Sequence, residues 1–248
     1  MTNNELKIYA SLKHKKFRKE HGLFMVEGYK TIEELLKSDL KLIKVLGASN
    51  ALDRISDKWT NLKEQVSSKT MQRISNMKSA SDIIAIVQLP ILENYDCLGK
   101  TILIDDIQDP GNLGTIIRTA HWFGFNQIIC SEKSVDLFNY KVIQASMGTV
   151  FKLKVSYANL ENVISNFRKN NLRVLGTFMN GESIYNFKFT EQDVFVLGNE
   201  GKGISREVEG LLDQKITIPN FSKGDLTESL NISIAGAVVC SEMSKRLL

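Results

Sequence analysis

The segment Val196-Leu197-Gly198-Asn199-Glu200-Gly201-Lys202-Gly203-Ile204-Ser205 leaves an apolar strand and enters a turn with three glycines in six positions. Glycine lets backbone approach a ligand closely, so this turn reads as a binding loop between a strand and a helix. It contains neither Gly-x-Gly-x-x-Gly nor Gly-x4-Gly-Lys-Ser/Thr, which excludes the dinucleotide fingerprint and the phosphate loop. Outward from it, apolar strands at 101–107, 127–130, 151–155, 173–178, 194–197 and 215–218 alternate with helical patterns. The helices begin at Asn112, near Tyr140, over 160–169, after Ile204 and from Ser229. Such alternation specifies an α/β fold with a parallel sheet covered on both faces. Ligands of these sheets bind outside the carboxyl ends of the strands.

Two further loops follow strands at those ends. Asp105-Asp106-Ile107-Gln108-Asp109-Pro110-Gly111-Asn112-Leu113-Gly114 opens a helix with a Pro-Gly turn, and Arg118 follows Asn112 by six residues. That spacing is about 9 Å along a helix axis, so both side chains are expected at one pocket. Ile116, Ile117 and Ala120 around Arg118 argue against a merely superficial arginine. The third loop runs from Ile218-Pro219 to Ser229-Leu230-Asn231, with Ser229 expected to cap the last helix. Ser233, Ala235, Gly236 and Ala237 then permit close packing, against either a second copy or the protein's own sheet.

The first third of the chain has another character. Residues 1–90 carry a charge balance of +6 and the remainder −2, within a 248-residue chain of net charge +4. The charge is densest at Lys13, Lys15, Lys16, Arg18 and Lys19, with Phe17 among them and His14 and His21 alongside. Cations interleaved with an aromatic suit a nucleic-acid backbone and its bases, while a solvated helix face is the plain alternative. Strands at 23–26, 42–46 and 83–87 with helices at 29–37 and 67–77 describe a small α/β domain over 1–90. A linker at 91–99 separates it from a second domain at 100–248. No apolar run approaches the roughly 18 residues needed to span a bilayer. The N-terminus lacks an apolar leader, so a cytoplasmic protein without membrane association is expected. Cys97, Cys130 and Cys240 have no metal-ligand or disulfide spacing, so no metal is expected.

Together, Asp-Pro-Gly-Asn-Leu-Gly with its arginine, Gly-Asn-Glu-Gly-x-Gly, and Ile-Pro followed by Ser-Leu-Asn-x-Ser-x-Ala resemble the three motifs of SpoU/TrmH RNA ribose 2′-O-methyltransferases, within the SPOUT superfamily. The match covers 100–248 in order; the stretch 220–228 is a few residues longer than usual. The basic first domain, with Phe24-Met25-Val26-Glu27-Gly28, resembles the RNA substrate-binding domain of many members. The resemblance implies a deep trefoil knot, an exception to ordinary chain topology. It implies S-adenosylmethionine as cofactor, held by Leu197, Gly198, Ile218 and Leu230 with Thr177 beside them. It also implies a catalytic group of Arg118, Asn112, Glu200, Ser229 and Asn231, with Glu200 the expected partner of Arg118. The last implication is a homodimer packed through the final helix, with a site assembled from two chains. Ribosomal RNA of the large subunit is the favoured substrate. Transfer RNA is the alternative, and a non-catalytic RNA-binding member is the rival reading.

Overall fold

The computed structural model describes residues 1–222 and 229–245, so the middle of the longer loop, 223–228, lies outside the described residues. The chain divides into two compact units: Met1–Ile91 with Asp136–Lys152, and Leu92–Val135 with Leu153–Leu248.

The first unit begins with helices α1 (Asn3–Ser11) and α2 (Lys15–His21). Thr2 caps α1 through the Glu5 amide while the Glu5 carboxylate accepts the Thr2 amide, a reciprocal box that satisfies two free donors. The unit continues through β1 (Leu23–Glu27), α3 (Tyr29–Leu35), β2 (Leu42–Gly47), α4 (Ser49–Leu52), β3 (Lys63–Gln65), α5 (Ser68–Ile74) and β4 (Ile83–Gln88). The sheet order is β1-β4-β2-β3, with β4 antiparallel to both neighbours and β2 parallel to β3. Phe24, Val26, Ile84, Ile86 and Val87 are fully buried, so β1 and β4 form the centre of the core.

Sequence reading assigns all of 100–248 to one domain, whereas residues 136–152 belong to the first unit. Arg18 explains part of this. Its guanidinium is only 4% exposed, donates to the carbonyls of Leu12 (2.8 Å) and Lys13 (3.0 Å), and forms an ion pair with Asp136. The ring of Phe24 lies 4.5 Å from that of Phe138 and 6.4 Å from that of Phe151, and helix α7 (Tyr140–Ala145) packs on β1. Gly148, at φ +82°, passes so close to Glu34 that a Cβ would fall 2.7 Å from the Glu34 Cβ. These contacts link residues far apart in sequence, which a pass along the chain does not reveal.

The second unit is a six-stranded, wholly parallel sheet. Its strands are β5 (Thr101–Ile104), β6 (Gln127–Ser131), β7 (Lys154–Ala158), β8 (Arg173–Ser183), β9 (Asp193–Leu197) and β10 (Gln214–Thr217), in the order β10-β8-β9-β5-β6-β7. Ile102, Leu103, Ile104, Val194, Phe195 and Val196 are all fully buried, as expected of strands covered on both faces. Helices α6 (Pro110–Trp122), α8 (Leu160–Lys169), α9 (Arg206–Glu209) and α10 (Ile232–Lys245) complete the unit. α10 packs against α6. Cys130 is completely buried, which pushes its thiol up to about 12, and Cys240 is pushed up for the same reason. No helix among the described residues is long and apolar enough to cross a membrane.

The last helix departs from expectation. It begins at Ile232 rather than Ser229, and its cap is Asn231, whose side-chain oxygen accepts the Ser233 amide at 2.9 Å and the Ser233 hydroxyl at 2.7 Å. Both residue types cap well, so composition alone does not separate them. Two of the four small residues face inward, while Ala235 and Ala237 are half-buried. Ser233 and Gly236 are buried, and a Cβ at Gly236 would lie 3.0 Å from Leu197 and 3.9 Å from Ile116 of the same protomer.

In the first unit, hydrogen bonds from Lys152 and Lys37 hold the Glu34 carboxyl at about 2. A lowered folded-state pKa contributes stability that is present above the ordinary carboxylate range and lost as pH falls towards 2. Glu34→Gln should therefore lower the melting temperature at neutral pH, with the difference from wild type closing between about pH 4.5 and 2. Melting curves across that range check it, and a pH-independent difference would rule out the linkage.

Candidate active site

The neighbouring positions of β5 and β9 set the site. Thr101–Ile104 pairs in register with Val194–Leu197, so the loops leaving both strands emerge side by side. The Asp105 amide donates to the Leu197 carbonyl and the Asp105 carboxylate accepts the Ser205 amide, both at 2.8 Å, which joins the two loops at their bases. Asp106 sits in the left-handed region at φ +60°, a conformation that a short polar side chain tolerates. Its carbonyl accepts the Asn199 side-chain amide at 2.7 Å.

The glycine loop is built on itself. Asn199 and Gly203 exchange backbone hydrogen bonds of 2.8 and 3.0 Å, and the Asn199 side-chain oxygen accepts the amides of Gly201 and Lys202. Gly203 holds φ +71°. At Gly198 a Cβ would lie 2.2 Å from the Gly203 carbonyl carbon, so no larger residue allows this closure.

The first loop ends in a well-made helix start. Asp109 caps α6 by accepting the Asn112 amide at 2.8 Å, and Pro110 occupies the first turn, where its missing N–H costs nothing. Glu200 reaches across from the glycine loop. Its carboxylate accepts the amides of Gln108 (3.3 Å) and Asp109 (3.1 Å) and the Asn112 side chain (3.2 Å). The Asn231 side chain in turn donates to Asn112 Oδ1 at 3.0 Å. One chain of hydrogen bonds thus ties the third loop, the first loop and the second loop together.

Joined to the first loop by the Glu200 and Asn231 hydrogen bonds, the glycine loop and the third loop border a cleft of about 880 Å³. Thr177, Leu197, Gly198, Ile218 and Leu230, the five expected cofactor contacts, all line it, as do Glu200, Ser229 and Asn231. Thr177 already donates its hydroxyl to the Val196 carbonyl at 2.8 Å, so its side chain acts first on the sheet. Phe178, Met179 and Phe221 also line the cleft and were missed by sequence reading. Phe221 is 78% exposed, with its ring 6.2 Å from that of Tyr185. No periodic signal in the sequence marks these residues.

Arg118 is not brought to this group. Asn112 turns towards Glu200, and six residues of helix rotate Arg118 about 120° away from it. Glu200 is occupied by loop amides and Asn112, and among the described residues Arg118 makes no ion pair or hydrogen bond with any side chain. The expected Glu200–Arg118 pair is therefore replaced by a Glu200–Asn112 pair. Arg118 instead shares an exposed face of α6 with Trp122, which is 83% exposed. In the basic cluster of the first unit, Lys13, Lys15, Lys16 and Lys19 are exposed, but Arg18 is consumed by its buried ion pair. Phe17 stacks with His21 at 6.2 Å, and the Lys16 ammonium lies 5.8 Å from the Phe17 ring centre.

Known proteins resemble both parts of the chain. Residues 99–241 match the model of the SpoU rRNA Methylase family, and residues 3–85 match an MRM3-like substrate binding domain. A relative from Bacillus subtilis, the 23S rRNA (guanosine(2553)-2'-O)-methyltransferase RlmP, is 28% identical over 96% of this chain and 94% of its own. A solved structure of a TrmH-family protein from Porphyromonas gingivalis superposes with a TM-score of 0.90, at 33% identity over 99% of both chains. An AdoMet-bound rRNA methyltransferase from Sinorhizobium meliloti gives 0.85 at 27% identity, over 100% of this chain and 97% of that one.

Because its Cβ would collide with backbone, Gly198→Ala should open the glycine loop, lower stability by about 1–3 kcal/mol and weaken ligand binding in the cleft. Thermal melting with calorimetric titration of S-adenosylmethionine checks this. Wild-type values for both would show that the loop tolerates a Cβ.

Proposed function

Since the chain belongs to the SpoU rRNA Methylase family, we propose that it transfers the methyl group of S-adenosylmethionine to a ribose 2′-hydroxyl of large-subunit ribosomal RNA. The observation that carries this reading is the cleft that the glycine loop and the third loop share beside a parallel sheet, with the first loop tied to both through Glu200 and Asn231. Its apolar walls at Leu197, Ile218 and Leu230 suit an adenosyl group, and the close-packed Gly198 turn brings backbone to the ligand rather than side chain. Bound there, the cofactor supplies an electrophilic methyl carbon on a sulfonium.

The remaining work is positioning and charge stabilisation. Glu200 and Asn231 hold Asn112 and the start of α6 in place. Arg118 grips the RNA phosphate beside the target ribose and stabilises the alkoxide that develops as the hydroxyl passes its proton to water, the cofactor being left as its neutral thioether. A guanidinium with a pKa above about 12 serves this role better than that of general base.

The active form is a homodimer, and the position of Arg118 is the reason. The arginine faces away from the cleft of its own chain, beside exposed Trp122, and the outer side of α10 presents Ile234 (51% exposed) with the half-buried Ala237 and Val238. Association through α6 and α10 covers this apolar face and carries Arg118 to the partner's cleft. The last segment is read as a deep trefoil knot around the cofactor, and the protein as cytoplasmic. Lys13, Lys15, Lys16 and Lys19 contribute RNA backbone contacts from the first unit. The similarity of this chain to the Bacillus subtilis rRNA enzyme over nearly its whole length favours ribosomal over transfer RNA.

Arg118→Ala should reduce methyl transfer to 23S rRNA by about 10²-fold while leaving S-adenosylmethionine binding unchanged. Transfer to tRNA in place of rRNA would select the other substrate class, and absence of cofactor binding in the wild type would select the non-catalytic reading.

Ile234→Arg should yield a folded, inactive monomer in sedimentation and circular dichroism. If dimers exchange subunits, mixing Arg118→Ala with Gly198→Ala protein should restore part of the activity, because one mixed site is intact. A fully active monomer would exclude a site shared between chains.

A further inference from the structure

The first unit contains a second cavity, of about 540 Å³, where α5 and residues 77–82 meet Ala48 at the end of β2. This volume falls within the roughly 300–1,000 Å³ of small-ligand sites. Both ends of the segment that borders it are fixed. At one end the buried Glu27 carboxylate accepts the Ser75 hydroxyl at 2.5 Å and the Asn76 amide at 2.8 Å. At the other, the Asp82 carbonyl accepts the Ala48 amide and Ser81 accepts the Ile83 amide, both at 3.3 Å. A Cβ at Gly47 would stand 2.8 Å from the Asp82 carbonyl oxygen, so this close approach requires glycine. The cavity is therefore held open by the fold.

Its lining is chemically mixed. Met71 and Val66 form the buried side, Met77 is 40% exposed, and Gln72, Lys78 and Ser79 are exposed at the rim. Between the fixed ends, the amides of Lys78, Ser79 and Ala80 have no acceptor among the described residues. Apolar sulfur-bearing side chains suit the faces of a nucleobase. The Gln72 amide offers a donor and an acceptor to the base edge. The Lys78 ammonium and the unpaired amides suit a phosphate.

We propose that this cavity receives one unstacked nucleotide of the RNA substrate. The proposal rests on the reading of the chain as an RNA methyltransferase and adds to it a recognition pocket in the first unit. Sequence-specific RNA recognition works on unstacked bases in loops and bulges, whose faces and edges are accessible. A duplex cannot enter a cavity of this size. The pocket thus reads one base, while the lysines of α2 supply attraction that is independent of sequence.

The test uses the full chain, a 23S rRNA transcript and two neutral variants at exposed positions. Gln72→Ala removes the edge contact, and Ser79→Leu fills the cavity. Each should weaken filter-binding affinity about tenfold while the salt dependence of binding stays that of the wild type. Unchanged affinity in Gln72→Ala and in folded Ser79→Leu overturns the proposal, and should Ser79→Leu fail to fold, Gln72→Ala decides alone. Guanosine and adenosine monophosphates are titrated in parallel. Gln72-dependent binding of a free nucleotide with no effect of either variant on RNA affinity assigns the cavity to a metabolite and overturns RNA occupancy. Methyl transfer is followed on the same transcript. A wild type whose binding depends on Gln72 but which transfers no methyl group sinks the ribose-methylation reading and leaves the cavity assignment standing.

Discussion

The Glu200 carboxylate, accepting the amides of Gln108 and Asp109 and the side chain of Asn112, is the contact that joins the loops around the cleft. A loop that ends a strand has backbone donors to satisfy, and a charged acceptor makes the stronger hydrogen bonds. Glu200 provides that acceptor from the neighbouring strand's loop. Asn112 is thereby oriented, and Asn231 can both cap α10 and bond to Asn112. The three loops occupy one place because each satisfies the polar groups of another. Their shared origin is the in-register pairing of β5 with β9, which no single loop encodes.

That arrangement also explains why Arg118 stands apart. α6 is aimed by its capped first turn, and its inward face is used by Leu113, Ile116, Ile117 and Ala120. Helical geometry then leaves Arg118 and Trp122 facing outward, four residues apart on one stripe. The 83% exposed Trp122 leaves a large apolar ring in water beside the exposed Arg118. Gly236 of α10, by contrast, packs against Leu197 and Ile116 within the chain. Close approach of α10 to the sheet is what lets the third loop border the cleft.

In the first unit, charge and structure divide the basic cluster. Arg18 is desolvated and fully engaged with two carbonyls and Asp136, an arrangement that suits a guanidinium with five donors. The lysines around it remain in water, where a compact ammonium is well hydrated and free to meet phosphate. One sequence cluster thus contains a structural arginine and a set of surface cations. The excursion of residues 136–152 into this unit depends on the same Arg18–Asp136 pair and on the Phe24 ring.

The alternation of apolar strands with helices, the Pro-Gly and glycine turns, and the order of the three motifs were legible in the sequence because each depends on local backbone chemistry. They sufficed for the parallel sheet, the family and, in the cleft lining, Thr177, Leu197, Gly198, Ile218 and Leu230. Phe178, Met179 and Phe221 were not legible, because nothing local distinguishes an aromatic at a cleft from one in a core. The partner of Glu200, the burial of Arg18, the inward turn of Gly236 and the allocation of 136–152 were decided only in three dimensions. Each depends on which strands are neighbours and on which polar group is desolvated beside which other, and those quantities exist only once distant segments have packed.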